Sequence, residues 1–267
     1  MRNTKILTLA LLCALAEPGY AGTAINGNAA INPDGRLEVH NVRGRVQIRT
    51  WDKNQVDVHG TLGEGSQFDI SGAGADVVVR IKNSDKGSWS WWGNSGPRED
   101  TLLEIMVPKG ISPEVHSVSA DVDIAGLDGS RTVNVETVSG DVLLNGRLKG
   151  QVHGETVSGQ LSIDSSGEAL RRLSTSTVSG DTTIHAALSD GGEIKSDTVS
   201  GDLRLRLPKS LNARVSAESF SGELRAPGAK IQKEEFGPGS SFEQRYGSGS
   251  GEIQLESFSG DTTLDLE

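Results

Sequence analysis

TVSGD occupies residues 137–141, and close variants of it return down the rest of the chain. With the serine as reference, the copies stand at Ser119, Ser139, Ser158, Ser179, Ser200, Ser221 and Ser259, at intervals of 20, 19, 21, 21, 21 and 38 residues. The last interval is close to two periods. A fixed period near twenty marks a repeat architecture, not a single site.

The alignment extends well beyond the five residues. Six positions before the serine stand residues such as Val133, Val152, Leu173 and Ile194. One position before it come Val118, Val138, Val157, Val178 and Val199, then Phe220 and Phe258. Three and five positions after it come pairs such as Val142 and Leu144, Leu161 and Ile163, Leu203 and Leu205. Polar residues separate the apolar ones, Leu143 being the clear exception. Alternation with period two reads as β-strand with one face buried. The apolar positions at −6, −1, +3 and +5 change parity within the phrase, so the chain turns a corner there. The unit is strand, corner, strand, loop, and the expected buried face includes the valines at −1.

In a β-solenoid each repeat is one coil, and equivalent residues stack as ladders about 4.8 Å apart. A propeller blade needs about forty residues, and antiparallel neighbours give no reason for identity locked to one period. The sequence therefore predicts an all-β fold, a β-solenoid of about 20-residue coils. One such coil buries too few side chains to offset the entropy of ordering it, so the coils depend on stacking.

The residue after the serine is glycine in six copies and Ala120 in the first. Tolerance of alanine points to lack of room more than to positive φ. Next comes a column of acids (Asp121, Asp141, Asp181, Asp202, Glu223 and Asp261) interrupted by Gln160. Hard cations take oxygen ligands, yet the interruption and the lack of a glycine-dense calcium loop favour each acid accepting a hydrogen bond from the corner backbone of its own coil. No metal and no cofactor is expected.

The chain has 267 residues, a net charge of −10 and pI near 5.1. Its start, MRNTKILTLALLCALAEPGYAG, has a basic opening, an apolar stretch and small residues near Ala21. That pattern reads as a secretory signal peptide over residues 1–21. The single cysteine, Cys13, falls within that stretch, preceded by Leu12 in place of the small residue a lipoprotein signal wants. A processed chain has no thiol for a disulfide or a Cys-based zinc site. No later segment is apolar enough to cross a bilayer as a helix, and the acidic balance argues against nucleic acid and anionic lipid as partners. The expected location is periplasmic or secreted.

Residues 22–110 are expected to form an N-terminal β region and residues 111–267 the solenoid repeats. Within the first, Leu37 and Val39 recur nineteen residues later as Val56 and Val58, which suggests two successive coils. The segment NSDKGSWSWWGNSGPRED carries Trp89, Trp91 and Trp92. Tryptophans in a polar, glycine-rich loop stack on sugars or bind a partner, or fold back as a lid over the first coils. They are the candidate binding residues. An insertion at 226–251 accounts for the long last interval and is expected to project as a hairpin.

Signatures of catalysis are missing. The sequence has no HExxH, no G-x-S-x-G elbow, no phosphate loop and no dinucleotide fingerprint, and the recurring Ser and Asp have no recurring His. His40, His59, His116, His153 and His185 show no metal-ligand spacing and are expected at surface or strand positions. The runs VQIRTWDKNQVDVHGTLG, LEIMVPKGISPEVHSVSADVDI and the serial TVSGDV-like units together resemble the bacterial putative-adhesin family of β-strand-repeat proteins, a domain family of unknown function. The resemblance implies an exported envelope protein with a β-helix-like fold and transfers no catalytic residues. The expected function is a non-enzymatic binding scaffold whose partner is an envelope component, carbohydrate or protein. A carbohydrate-active solenoid enzyme is the alternative.

Overall fold

The computed structural model describes residues 22–83, 100–235 and 237–267. Residues 1–21, expected to be a signal peptide, and the segment with Trp89, Trp91 and Trp92 lie outside the described residues. Among those described there are 17 strands, one continuous hydrogen-bonded sheet and no helix. The sheet winds into a β-solenoid, as the period requires.

Each coil contributes two strands, such as Thr132–Ser139 and Val142–Arg147. Equivalent residues pair in parallel register from coil to coil, as in Val133 with Val152, Val152 with Leu173, and Leu173 with Ile194. On the second strand an eight-residue file runs Ile105, Ile48, Ile124, Leu144, Ile163, Ile184, Leu205, Leu264. Every member is at most 2% exposed. These β-branched and leucine side chains stack on their equivalents and form the core.

The order of coils in space departs from the order in sequence at both ends. The coil at residues 36–51 lies between 76–108 and 112–128: Val39 pairs with Val79 on one edge and Val115 on the other. Near the other end, the last coil in the chain pairs with 193–207 on one side and 213–225 on the other, as in Ile194 with Ile253 and Ile253 with Val215. The spatial order of the final serines is therefore Ser200, Ser259, Ser221. The first and last coils in sequence both gain a neighbour on each edge, and neither is left at an exposed end.

An antiparallel strand closes each end of the stack, which blunts the unpaired edges. Gln55–Leu62 lies antiparallel to Thr101–Pro108 and to residues 23–30. The recurrence of Leu37 and Val39 at Val56 and Val58 thus marks a cap in place of a second coil. At the far end Ser240–Tyr246 lies antiparallel to Ala213–Ser219, with Phe242 buried beneath it. The insertion 226–251 does not simply project: part of it covers the last edge, held by a short pairing of Gln232 and Lys233 with Ser241 and Ser240.

Candidate binding surface

Four letters of the repeated phrase have structural work at the corner. The threonine or serine at −2 points inward: Ser117, Thr137, Thr156, Thr177, Thr198, Ser257 and Ser219 form a buried polar file. The hydroxyls of Thr137, Thr198, Ser257 and Ser219 satisfy corner backbone, whereas those of Ser117 and Thr156 have no partner among the described residues. Ser257 Oγ donates to the Gly260 carbonyl at 2.8 Å and accepts from the Gly260 N–H at 3.0 Å, and Ser219 Oγ accepts from the Gly222 N–H at 2.8 Å. The reference serines stack in single file, Ser200, Ser259 and Ser221 each donating a backbone N–H to the coil before (to Val178, Val199 and Phe258).

The glycine is there for room, as expected, and the room is tighter than Ala120 suggests. A Cβ on Gly180, Gly201, Gly260 or Gly222 would sit 1.9–2.1 Å from a carbonyl oxygen of the preceding coil's glycine. Gly140 and Gly159 add positive φ, at 138° and 153°. The acid at +2 does not serve its own coil. Asp121, Asp141, Asp181, Asp202 and Asp261 each accept the backbone N–H of the equivalent residue in the next coil, at 2.9–3.2 Å. That next residue's carbonyl in turn accepts from the strand behind, as Asp261 does from Leu203 at 2.8 Å. The acid column is a series of staples between coils.

The fifth letter has no such role. Val118, Val138, Val157, Val178, Val199, Phe258 and Phe220 are 43–55% exposed, so the valines expected in the core point into solvent. The positions −6, −4 and −2 share the buried face, which forces −1 outward. The threonine at −2 carries the signal; the apolar identity of valine masked it. Seven coils thus display one unbroken apolar file about 29 Å long at about 4.8 Å a coil. Contiguous exposed apolar surface of this kind marks interaction sites.

Acids flank the file on both sides. At −3, on the same outward face, stand Glu136, Glu155, Asp197, Glu256 and Glu218; around the corner runs the +2 column. Toward the C-terminal end Phe220 and Phe258 stack face to face, centroids 4.8 Å apart and planes 6° from parallel. They floor an open groove of about 550 Å³, walled by Gly239–Ser241 of the capping hairpin. Among the described residues four carboxylates line it (Asp197, Glu218, Glu234 and Glu256) and no Lys, Arg or His.

The N-terminal end differs. His40 and His116 stack at 5.2 Å beside a hollow of about 210 Å³ that touches Val42 and Val118. His116 bonds Glu114 at 2.9 Å and Glu136 at 3.1 Å, and Arg36 donates to Glu114. The hydrogen bond from His116, then that from Arg36, holds the Glu114 carboxyl below its usual range; His40 does the same for Glu38. His59, His153 and His185 are surface residues paired with nearby acids. Among the described residues no group of three or more His, Cys, Asp or Glu is placed to hold a metal ion.

The described flanks of the tryptophan segment reach the same line. Arg43 takes the serine position of its coil, paired with Ser119, and holds Asp100 in an ion pair at 3.0 Å. Asp100, the described residue that follows the segment, therefore stands at the corner line.

Fold and surface define a class, a capped parallel β-solenoid with an outward apolar file. Residues 170–265, the four C-terminal coils and the groove among them, match the model of the Toastrack family DUF4097, and the resemblance read in the sequence is met there. Similar solved structures include a putative cell adhesion protein from Clostridium sporogenes ATCC 15579, 14% identical over 92% of this chain and 100% of its own, TM-score 0.43. A putative adhesin from Bacteroides fragilis NCTC 9343 is 11% identical over 91% and 97%, TM-score 0.44. A putative lipid binding protein from Parabacteroides distasonis ATCC 8503 is 14% identical over 91% and 97%, TM-score 0.45. No curated protein matches.

Proposed function

We propose that this protein is a non-enzymatic, adhesin-like binding scaffold, exported to the cell envelope, that engages its partner along the outward apolar file. The observation that carries this reading is the file itself. Seven consecutive corners keep Val or Phe at a half-exposed position where a polar residue would serve the fold equally well. The stapled corners and capped ends make that surface rigid, so a partner binds it without the cost of ordering it. Trp89, Trp91 and Trp92 are proposed to extend the same surface, because Asp100, the described residue that follows their segment, pairs with Arg43 at the corner line. The signal-peptide pattern of residues 1–21 supports export, and the resemblance read in the sequence implies a place in the envelope.

The test compares immobilised wild-type chain with a Val157→Ser/Val178→Ser/Val199→Ser variant and a Trp89/Trp91/Trp92→Ala variant. Each is exposed to isolated envelopes, peptidoglycan and a polysaccharide panel, with turnover of the polysaccharides followed in parallel. Saturable binding by the wild type, weakened in the valine variant at an unchanged melting temperature, is expected. Equal binding by all three proteins, or polysaccharide cleavage, overturns the reading.

A further inference from the structure

We propose that the groove over the Phe220–Phe258 pair is a docking site for a cationic amphipathic helix, a peptide segment with one apolar row flanked by Lys or Arg on both sides. The inference rests on the reading of the apolar file as a binding surface and names the chemistry of its occupant.

Charge is the first argument. Among the described residues the groove is lined by Asp197, Glu218, Glu234 and Glu256 with no cationic side chain. Asp197 is paired with Lys195 at 3.3 Å, whereas Glu218, Glu234 and Glu256 have no ion-pair partner among the described residues. The chain as a whole carries −10. A concave site walled by one sign of charge attracts the other and repels its own. Anionic lipid and acidic protein are disfavoured; a second copy of this chain would bring acid against acid.

Shape is the second. The apolar floor runs along the solenoid axis, across the strands, so a partner strand cannot extend the sheet there. An α-helix laid along the axis presents an apolar row advancing about 5.4 Å per turn, against about 4.8 Å per coil. Over the rungs of Val178, Val199, Phe258 and Phe220 the mismatch accumulates to about 2 Å, which flexible side chains absorb. Its flanking Lys or Arg then reach the acids at −3 on one side and Asp181 and Asp202 of the +2 column on the other, Glu223 and Asp261 being paired with Arg225. Helix-in-groove recognition uses this division between apolar anchors and rim charges. A cation laid over either exposed phenylalanine face gains further.

The test uses the full chain and a fluorescein-labelled synthetic helix of about four turns with a leucine row bordered by lysines. Anisotropy titrations compare it with the same peptide carrying Gln, and then Glu, at every Lys. Two protein variants are used, Phe220→Ser/Phe258→Ser and Glu218→Gln/Glu256→Gln, all four sites being exposed; thermal melts confirm that both remain folded. Glu64→Gln, an exposed acid outside the file, serves as control.

Saturable binding of the lysine peptide is expected, weakened at least tenfold by either double variant, by the Gln peptide and by high salt, and unchanged by Glu64→Gln. Equal binding of the Gln or Glu peptide overturns the cationic assignment and leaves a binding groove. Binding of no peptide, with envelope binding still lost in the valine variant, overturns this inference and leaves the proposed function standing. If neither peptide nor envelope binding responds to the file, both fall. Sedimentation showing a wild-type dimer that Phe220→Ser/Phe258→Ser dissociates would assign the groove to a second copy and overturn the inference.

Discussion

Gly180→Ala isolates the claim that the corners are fixed by contact between coils. Gly180 does not have positive φ, so alanine meets no backbone strain there. Its Cβ would lie 1.9 Å from the Gly159 carbonyl oxygen and 2.7 Å from the carbonyl carbon. Relief requires the two corners to separate by about 1 Å, because Cβ contacts under 3.0 Å are essentially never seen. That opening stretches the adjacent bond from the Leu161 N–H to the Asp181 carbonyl, now 2.9 Å, beyond hydrogen-bond range. Overpacking costs about 1–3 kcal/mol and one lost hydrogen bond about 0.5–1.5 kcal/mol. The expected loss is about 2–4 kcal/mol, and valine adds to it, so the tolerance of alanine that Ala120 suggests does not extend to Gly180. The control is Gly167→Ala, where φ is 86° and nothing lies within 4 Å of the added Cβ. Its cost is the left-handed strain alone, about 1–2 kcal/mol. Urea unfolding read by circular dichroism compares the midpoints at constant slope. A Gly180→Ala loss smaller than that of Gly167→Ala would refute the reasoning.

The staples, the cap and the carboxylate cluster each give a further outcome. Asp202→Ala removes the acceptor for the Asp261 N–H at 3.0 Å and should cost about 0.5–1.5 kcal/mol. Asp202→Asn keeps an acceptor oxygen and should stay within about 0.5 kcal/mol of wild type; urea midpoints decide, and equal losses would contradict the staple. Phe242→Ala, beneath the capping strand and 4% exposed, should cost about 3–5 kcal/mol and bare the edge at Ala213–Ser219. Concentration-dependent association in the ultracentrifuge checks it, and an unchanged melt with a strict monomer would count against the cap. For Glu114 the folded carboxyl lies below the ordinary value of 4.5. Its contribution is complete above that value and is lost as pH falls through the lowered one. The stability gap between wild type and Glu114→Gln should be small, with the side chain 26% exposed, and should close in acid. A gap constant from neutral to acid pH would contradict the hydrogen-bonded carboxylate.

The solenoid was legible because identical residues at one period have few other causes. Files such as Ile124, Leu144 and Ile163 stack with the spacing the sequence implies. Two kinds of feature were not legible. Threading leaves no trace in a repeat: Ile253 and Val215 are interchangeable in type, so nothing in the chain says that the last coil pairs with Ile194. The outward valines were obscured by an assumption that apolar means buried, although the parity of Thr137 with Val135 and Val133 already places Val138 outside. The acid column was readable as corner chemistry, while the direction of its bonds, into the next coil, depends on backbone geometry that alternation does not encode. The candidate groove needed both the Phe pair, whose members stand 38 residues apart in sequence, and the capping hairpin that lies between them in the chain.

Stacking in register with a threaded last coil is tested most directly by cross-linking across the serine file in a Cys13→Ser background. Adjacent coils stand about 4.8 Å apart, within the Cα separation a disulfide spans, whereas coils two steps apart exceed it. Ser200→Cys with Ser259→Cys should close to a disulfide under mild oxidation, and Ser200→Cys with Ser221→Cys should remain reduced. Closure of the second pair and not the first would contradict the arrangement.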